Sequence, residues 1–359
     1  MSAVPADSRP PVRVRFAPSP TGSLHLGNAL TAVANRRFAD RHSGALVLRI
    51  DDTDAARAVT GGEDAILRDL SWLGIRWDEG PVRQSERGEL YEAAARRALE
   101  VGAARRDADG SVRVGPVTIL RADGTATYQL ASVVDDLELG ITHVIRGSDH
   151  RPNLEPQRAI ARAVGGELPE VIHHGLLLGA DGKKLSKRHG HASVGDLREE
   201  GIPAAAVRAY LEELDLPAHD VRLDPARLQR LAIDAIAALP DAELAAAAEA
   251  PPQLARALRG ARTLVEAREI AARILSPAPV ALGDDAAPTL ERFAELRAGA
   301  GDPLDEASAR AIVRELKAVG GDLRALRLAL TGAERGPELW TVVAALGREE
   351  ALRRTAAAR

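Results

Sequence analysis

Cysteine is missing from all 359 residues, and with it go structural disulfides, thiolate nucleophiles and thiolate zinc sites. The same lack leaves the redox compartment unreadable. Long apolar runs are missing as well: no segment approaches the roughly 20 apolar residues that a membrane span needs. The opening stretch 1–11 is polar and proline-containing and has no apolar signal core. No membrane association and a cytoplasmic location are therefore expected. Nor is there a surplus of positive charge. The formal net charge is −4, so a nucleic-acid partner would have to be held by local Arg and Lys patches. No internal repeat is visible.

What is there divides along the chain. The length allows two or three domains, each with its own core, at about 150 residues apiece. From Val12 the pattern reads strand, turn, helix (29–42), then a strand over 45–50 ending in Asp51-Asp52-Thr53-Asp54, a βαβ opening. Helices are expected over 63–73 and 87–99, the first with acidic residues near its start and Gly74 as its stop. The stretch 101–127, with turns at Asp109-Gly110 and Asp123-Gly124 around short β-like runs, reads as a compact connector. Helix and strand then alternate to Gly190, with a strand over 141–145 leading into Arg146-Gly147-Ser148-Asp149-His150.

Beyond about Asp196 strand patterns stop, and helical patterns rich in Ala, Leu and Arg take over, for example 241–250 and 308–318. The fold class expected is α/β: a Rossmann-type parallel-sheet domain followed by an all-helical C-terminal region. Its expected parts are a tail over 1–11, the α/β domain over 12–195 with its connector at 101–127, and helical domains over 196–275 and 276–359. Pro251-Pro252 and Ser276-Pro277-Ala278-Pro279 are the candidate linkers.

Two distant stretches carry chemistry. Arg15-Phe16-Ala17-Pro18-Ser19-Pro20-Thr21-Gly22-Ser23-Leu24-His25-Leu26-Gly27-Asn28 runs from an apolar strand through a Pro/Gly turn into a helix. It sets His25 and exposed backbone amides where a polyphosphate can dock, at the positive end of a helix dipole. An imidazole there can donate to phosphate oxygens that gain charge as pyrophosphate leaves. Taken alone, His-x-Gly more often marks a satisfied surface histidine at a helix cap. Lys183-Lys184-Leu185-Ser186-Lys187-Arg188 puts Lys184 and Lys187 on a glycine-rich loop, where compact ammonium charges suit a transient pentacovalent phosphate. Alone, it is a solvated basic loop. His173, His174, His189 and His191 hint at a metal cluster, but no acidic or thiol ligand has the right spacing and nearby lysines would repel a cation. No metal site is expected there, zinc included.

In order along the chain, these segments resemble the glutamyl-tRNA synthetase family of class I aminoacyl-tRNA synthetases. Arg15 to Asn28 is similar to the family's His-Ile-Gly-His region and Leu48 to Asp54 to its acidic strand end. Trp77-Asp78-Glu79-Gly80-Pro81 with Gln84-Ser85-Glu86-Arg87, then Tyr128 to Asp136, Gly140 to Asn153 and Lys184 to Gly190 follow in family order. The resemblance implies ATP-dependent activation of glutamate to an adenylate and transfer to the terminal ribose of tRNA, with Mg²⁺ accompanying the nucleotide. It implies that Arg15 pairs with the substrate's side-chain carboxylate, with Tyr128 and Arg146 adding contacts and Ala17, Ser19 and Ser132 in the same pocket. Asp51 would face the substrate's amino group. His25, Gly27, Asn28 and Lys187 would bind ATP, with His25, Lys184 and Lys187 carrying the chemistry; a monomer is expected. Structural alternatives are an Arg15–Asp51 ion pair, an Arg146–Asp149 turn pair and a core Tyr128.

The chain departs from that family in four places. The connector 101–127 is all that stands where members carry a sizeable insertion gripping the tRNA acceptor end. Asp51 replaces a glutamate, which withdraws the carboxylate by one methylene; Ser132 stands where asparagine is common and Ser148 where an acidic residue is. A truncated paralogue, the glutamyl-queuosine tRNA(Asp) synthetase, also lacks the anticodon-binding part. Here, however, Arg227-Leu228 resembles the family's stem-contacting helices, and Ala329-Leu330-Thr331-Gly332 with Gly336-Pro337-Glu338-Leu339 resembles the tip of the anticodon-binding domain. Transfer to another acceptor, or a non-catalytic tRNA-binding relative, are the competing expectations.

Overall fold

The computed structural model describes residues 10–54, 59–183, 185 and 193–359. The chain forms two compact units, Met1–Leu197 with Arg208–Pro225, and Arg198–Val207 with Ala226–Arg359. Among the described residues no helix is long and apolar enough to cross a membrane.

The first unit is built on strands β1 (Arg13–Phe16), β2 (Ala45–Ile50), β3 (Glu79–Arg83), β4 (Arg105–Arg106), β5 (Val112–Val114), β6 (Val117–Leu120), β7 (His143–Gly147) and β8 (Glu170–His174). Its helices are α1 (Leu26–Arg41), α2 (Gly62–Trp72), α3 (Gly88–Glu100), α4 (Tyr128–Glu138) and α5 (Leu154–Ala163). Five strands pair in the order β3-β2-β1-β7-β8, all parallel. Parallel strands covered by helices on both faces lose alternation and read as continuous apolar runs, and β2, Ala-Leu-Val-Leu-Arg-Ile, is buried from Leu46 to Ile50. Its start depends on Gly44. A Cβ there would sit 2.3 Å from the Val12 carbonyl, whereas glycine lets the Ala45 amide donate to that oxygen at 2.9 Å.

Helix α1 begins earlier than the pattern predicts, because His25 caps it with its own ring: the Gly27 amide donates to Nδ1 at 3.3 Å. Gly74, just past α2, adopts φ +67°, the left-handed conformation that closes a helix at little cost for glycine. The stretch 101–127 forms a three-stranded antiparallel sheet, β4-β5-β6. Its Val112, Val114, Ile119 and Leu120 share a core with Tyr91, Leu130 and Ile160 from α3, α4 and α5.

One expectation is corrected beyond Asp196. Val221–Arg222 is a strand (β10), parallel to Leu177–Leu178 (β9). Two residues show no periodicity, so tertiary pairing alone makes this strand. This strand belongs to the first unit, and the named elements of the second are helical, as at Asp241–Ala247 and Glu306–Ala318, the latter capped by the Asp305 side chain on the Ser308 amide. Pro251-Pro252 and the stretch 276–279 both lie inside this unit, whose core runs from Ile236 and Leu244 through Leu290 and Phe293 to Val342 and Ala351.

Candidate active site

In a sheet ordered 3-2-1-7-8, the chain leaves β1 toward one edge and later returns to its other side at β7. The connections from the carboxyl ends of these two neighbours diverge and leave a crevice. A cleft of about 430 Å³ opens there. Arg15, Ala17 and Ser19 from β1 and its following turn line it, with His25, Gly27 and Asn28 from the start of α1, Asp51 beyond β2, Tyr128 at the start of α4, and Arg146 in β7. Parallel pairing of β1 with β2 (Phe16 beside Leu48) and with β7 brings these distant segments to one edge.

The two stretches singled out for phosphate chemistry meet here. His25 Nε2 lies 2.6 Å from the Leu185 carbonyl. Because Nδ1 accepts from the Gly27 amide, Nε2 carries the proton and donates to Leu185, which sets one neutral tautomer. The backbone of His25 also bridges Ser193. Leu185 and Ser193 are thereby fastened beside the head of α1. Lys184 and Lys187, like His189 and His191, lie outside the described residues. The turn before His25 is held from beneath by the fully buried Asp69, which accepts from Ser23 Oγ at 2.6 Å and the Leu24 amide at 2.7 Å.

Two guanidinium groups also line the cleft. Arg146, 6 % exposed, donates through Nη1 to Gln157 Oε1 at 2.8 Å and through Nε to His173 Nε2 at 3.3 Å. Its Nη2 is buried and meets no hydrogen-bond partner among the described residues. Burial lowers the Arg146 pKa, and the positive Arg15 nearby adds to the effect. Burial together with the Arg146 charge brings His173 down to about 4, so it accepts as a neutral ring. Tyr128 is close enough to act on the charge of Arg146, and its hydroxyl lies 3.4 Å from His150 Nδ1.

Arg15, 5 % exposed, bonds through Nε to Asp136 Oδ1 at 3.2 Å. Asp51 is held instead by Arg49, Nε to Oδ1 at 2.7 Å and Nη2 to Oδ2 at 3.3 Å. The alternative Arg15–Asp51 pair is thus replaced by two separate partnerships, and Arg146 turns to Gln157 and His173. Burial raises the Asp51 carboxyl above its ordinary value, although Arg49 pulls it down. Ser132, one turn beyond Tyr128 on α4, does not line the cleft; its hydroxyl is buried without a hydrogen-bond partner among the described residues. Reading the sequence for site residues passed over Arg49, Asp136, Gln157 and Asp69. A signal existed for the first: an arginine inside the apolar run Leu46-Val47-Leu48-Arg49-Ile50 must find buried partners.

A family model described as tRNA synthetases class I (E and Q), catalytic domain, matches residues 11–113 and 110–223. The two matched stretches meet inside the connector, beside the Asp109-Gly110 turn. The chain is 41% identical to glutamate–tRNA ligase 1 of Rubrobacter xylanophilus, covering 98% of each. That alignment spans 425 positions, more than the 359 residues here, so the relative holds segments that this shortened chain lacks. Glutamate–tRNA ligase 1 of Cereibacter sphaeroides is 34% identical, again with 98% of each covered. A crystal structure of a glutamate tRNA ligase from Elizabethkingia meningosepticum in complex with its amino acid superposes with a TM-score of 0.75 at 21% identity, covering 97% of this chain and 99% of that one, a likeness of fold. With the family model covering more than half of its residues and relatives matched almost end to end, the chain belongs to the class I tRNA synthetases of the E and Q type.

Proposed function

We propose that the protein is a glutamate–tRNA ligase. The α-carboxylate of glutamate attacks the α-phosphorus of ATP, pyrophosphate leaves, and the glutamyl group passes from the adenylate to a terminal ribose hydroxyl of tRNA with release of AMP. No protein nucleophile is required, so the residues act by positioning and charge stabilisation. The observation that carries the amino-acid assignment is the guanidinium pair lining the cleft. Arg146 keeps a buried Nη2 donor that is unpartnered among the described residues, Arg15 lies close enough to depress its pKa, and a substrate side-chain carboxylate would satisfy both. Asp51 would receive the substrate ammonium, from a carboxylate drawn back onto its own strand by Arg49.

The head of α1 would take the nucleotide phosphates, with the Nε2–H of His25 as a neutral hydrogen-bond donor and the lysines at 184 and 187 supplying positive charge. No group of three histidine or carboxylate ligands converges among the described residues. Mg²⁺ would therefore ride on the phosphates and its own waters, and no step is assigned to it. A cytoplasmic monomer is the setting we favour. The domain boundaries we favour are catalytic 12–195, stem-contacting 196–275 and anticodon-binding 276–359.

Glutamate-dependent ATP–pyrophosphate exchange tests the first half-reaction; no exchange with any amino acid, with or without tRNA, would sink it. Charging total tRNA with labelled glutamate tests the second. An alkali-labile ester on the terminal ribose supports the ligase. Label on a modified nucleoside, or none in tRNA, would point to a different acceptor, as the short connector β4–β6 would permit.

A further inference from the structure

Beneath the cleft lies a buried network in which Arg15, Arg49 and Arg87 face Asp51, Asp135 and Asp136. Arg49 is its centre. Its side chain is 1% exposed. Besides its two bonds to Asp51, it donates through Nη1 to Asp136 Oδ1 at 2.7 Å and sits 3.7 Å from Asp135 Oδ2. Asp136 Oδ1 is the same oxygen that receives Arg15 Nε. Asp135 is secured from outside by Gln84 (2.9 Å), Arg87 (2.8 Å) and the Tyr91 hydroxyl, so the network cannot drift.

A buried ion network is a poor stability device, since desolvation commonly cancels the Coulomb gain and an apolar residue of similar volume serves as well. What a guanidinium adds is geometry: one planar cation can hold two carboxylates on two different elements at fixed angles, which an ammonium cannot do. We propose that Arg49 is a positioning residue for the amino-acid substrate. By bridging Asp51 at the end of β2 and Asp136 on α4, it fixes together the carboxylate that meets the substrate ammonium and, through Asp136, the guanidinium of Arg15 that meets the side-chain carboxylate. The shortened Asp51 makes the bridge more consequential, because both of its oxygens are tied to Arg49. This inference rests on the glutamate reading of the cleft.

The test is steady-state ATP–pyrophosphate exchange with glutamate and ATP varied separately, for the unaltered chain, Arg49→Lys, Asp136→Asn and the double variant. Misplacing a binding group by about 1 Å costs on the order of 100-fold, so each single variant should raise the glutamate KM by roughly 10- to 100-fold and shift the ATP KM less than about twofold. The double variant should be no worse than the poorer single, because both break one link. Asp136→Asn keeps shape and volume, so it carries the test should Arg49→Lys fold poorly. A merely structural role predicts lower melting temperatures and less active enzyme with both KM values unchanged, and that result overturns the proposal. The unaltered chain is assayed first. Failure to exchange with glutamate there overturns the substrate assignment and this proposal with it, whereas normal exchange with an unchanged glutamate KM in both single variants overturns the positioning role alone.

Discussion

Replacing Arg146 by lysine should uncouple glutamate binding from the rest of the enzyme. In the free protein the Nη2 donor is buried and unpaired among the described residues, held there because Nη1 and Nε are anchored on Gln157 and His173. Glutamate would supply the missing acceptor. A hydrogen bond to a charged group contributes about 1.5–3 kcal/mol, and lysine cannot keep the Gln157 contact while reaching the ligand with a second, fixed N–H. Taking ~2 kcal/mol as the loss, the glutamate Kd should rise about 30-fold. Thermal unfolding reads this directly. At glutamate 100 times the unaltered Kd, binding stabilises by about 2.7 kcal/mol, or ~5–10 °C for a domain of 150–250 residues. The variant at the same concentration sits at ~3 times its own Kd and should gain only ~0.9 kcal/mol, or roughly 2–4 °C. ATP should protect both alike. An equal glutamate-induced shift in both proteins would refute the assignment of Arg146 to the substrate carboxylate.

Three further outcomes follow from the geometry. His173, lowered to about 4 from 6.5, binds fewer protons folded than unfolded in that interval. Stability should therefore be complete above about pH 6.5 and fall as the pH drops toward 4; His173→Asn should flatten this slope in pH-dependent urea titrations, and an unchanged slope would count against the neutral His173. In the second unit, Arg354 donates to the carbonyls of Ile274 (2.7 Å) and Leu330 (2.6 Å), closing two helix ends, so Arg354→Met should cost about 3–5 kcal/mol; a loss under ~1 kcal/mol in urea unfolding would contradict this. Asp69→Leu removes Oδ2, the one oxygen that receives both Ser23 Oγ and the Leu24 amide beneath the turn before His25, and should destabilise by about 1–3 kcal/mol, measured by calorimetry, with kcat for exchange falling more than either KM.

Much of the architecture was written locally. The run 45–50 could only be a covered strand, Gly74 marked the end of α2, and the turn from Arg15 to Asn28 announced a strand-to-helix junction with His25 at its head. These features depend on side-chain period, backbone freedom and capping, which act over a few residues and leave a trace in the sequence. The order of motifs also named the family, because each segment fits one shared site. What the sequence left open was pairing. An Arg15–Asp51 ion pair stood only as a structural alternative to substrate contacts, and the structure gives neither residue to the other, since Arg49 takes Asp51 and Asp136 takes Arg15; Val221–Arg222 became a strand only beside Leu177–Leu178; and the segments holding His25 and Leu185 met through one ring nitrogen and one carbonyl. Charges separated by 87 and 121 residues choose among partners by burial and angle, and those are fixed only when parallel strands bring their carboxyl ends to a single edge.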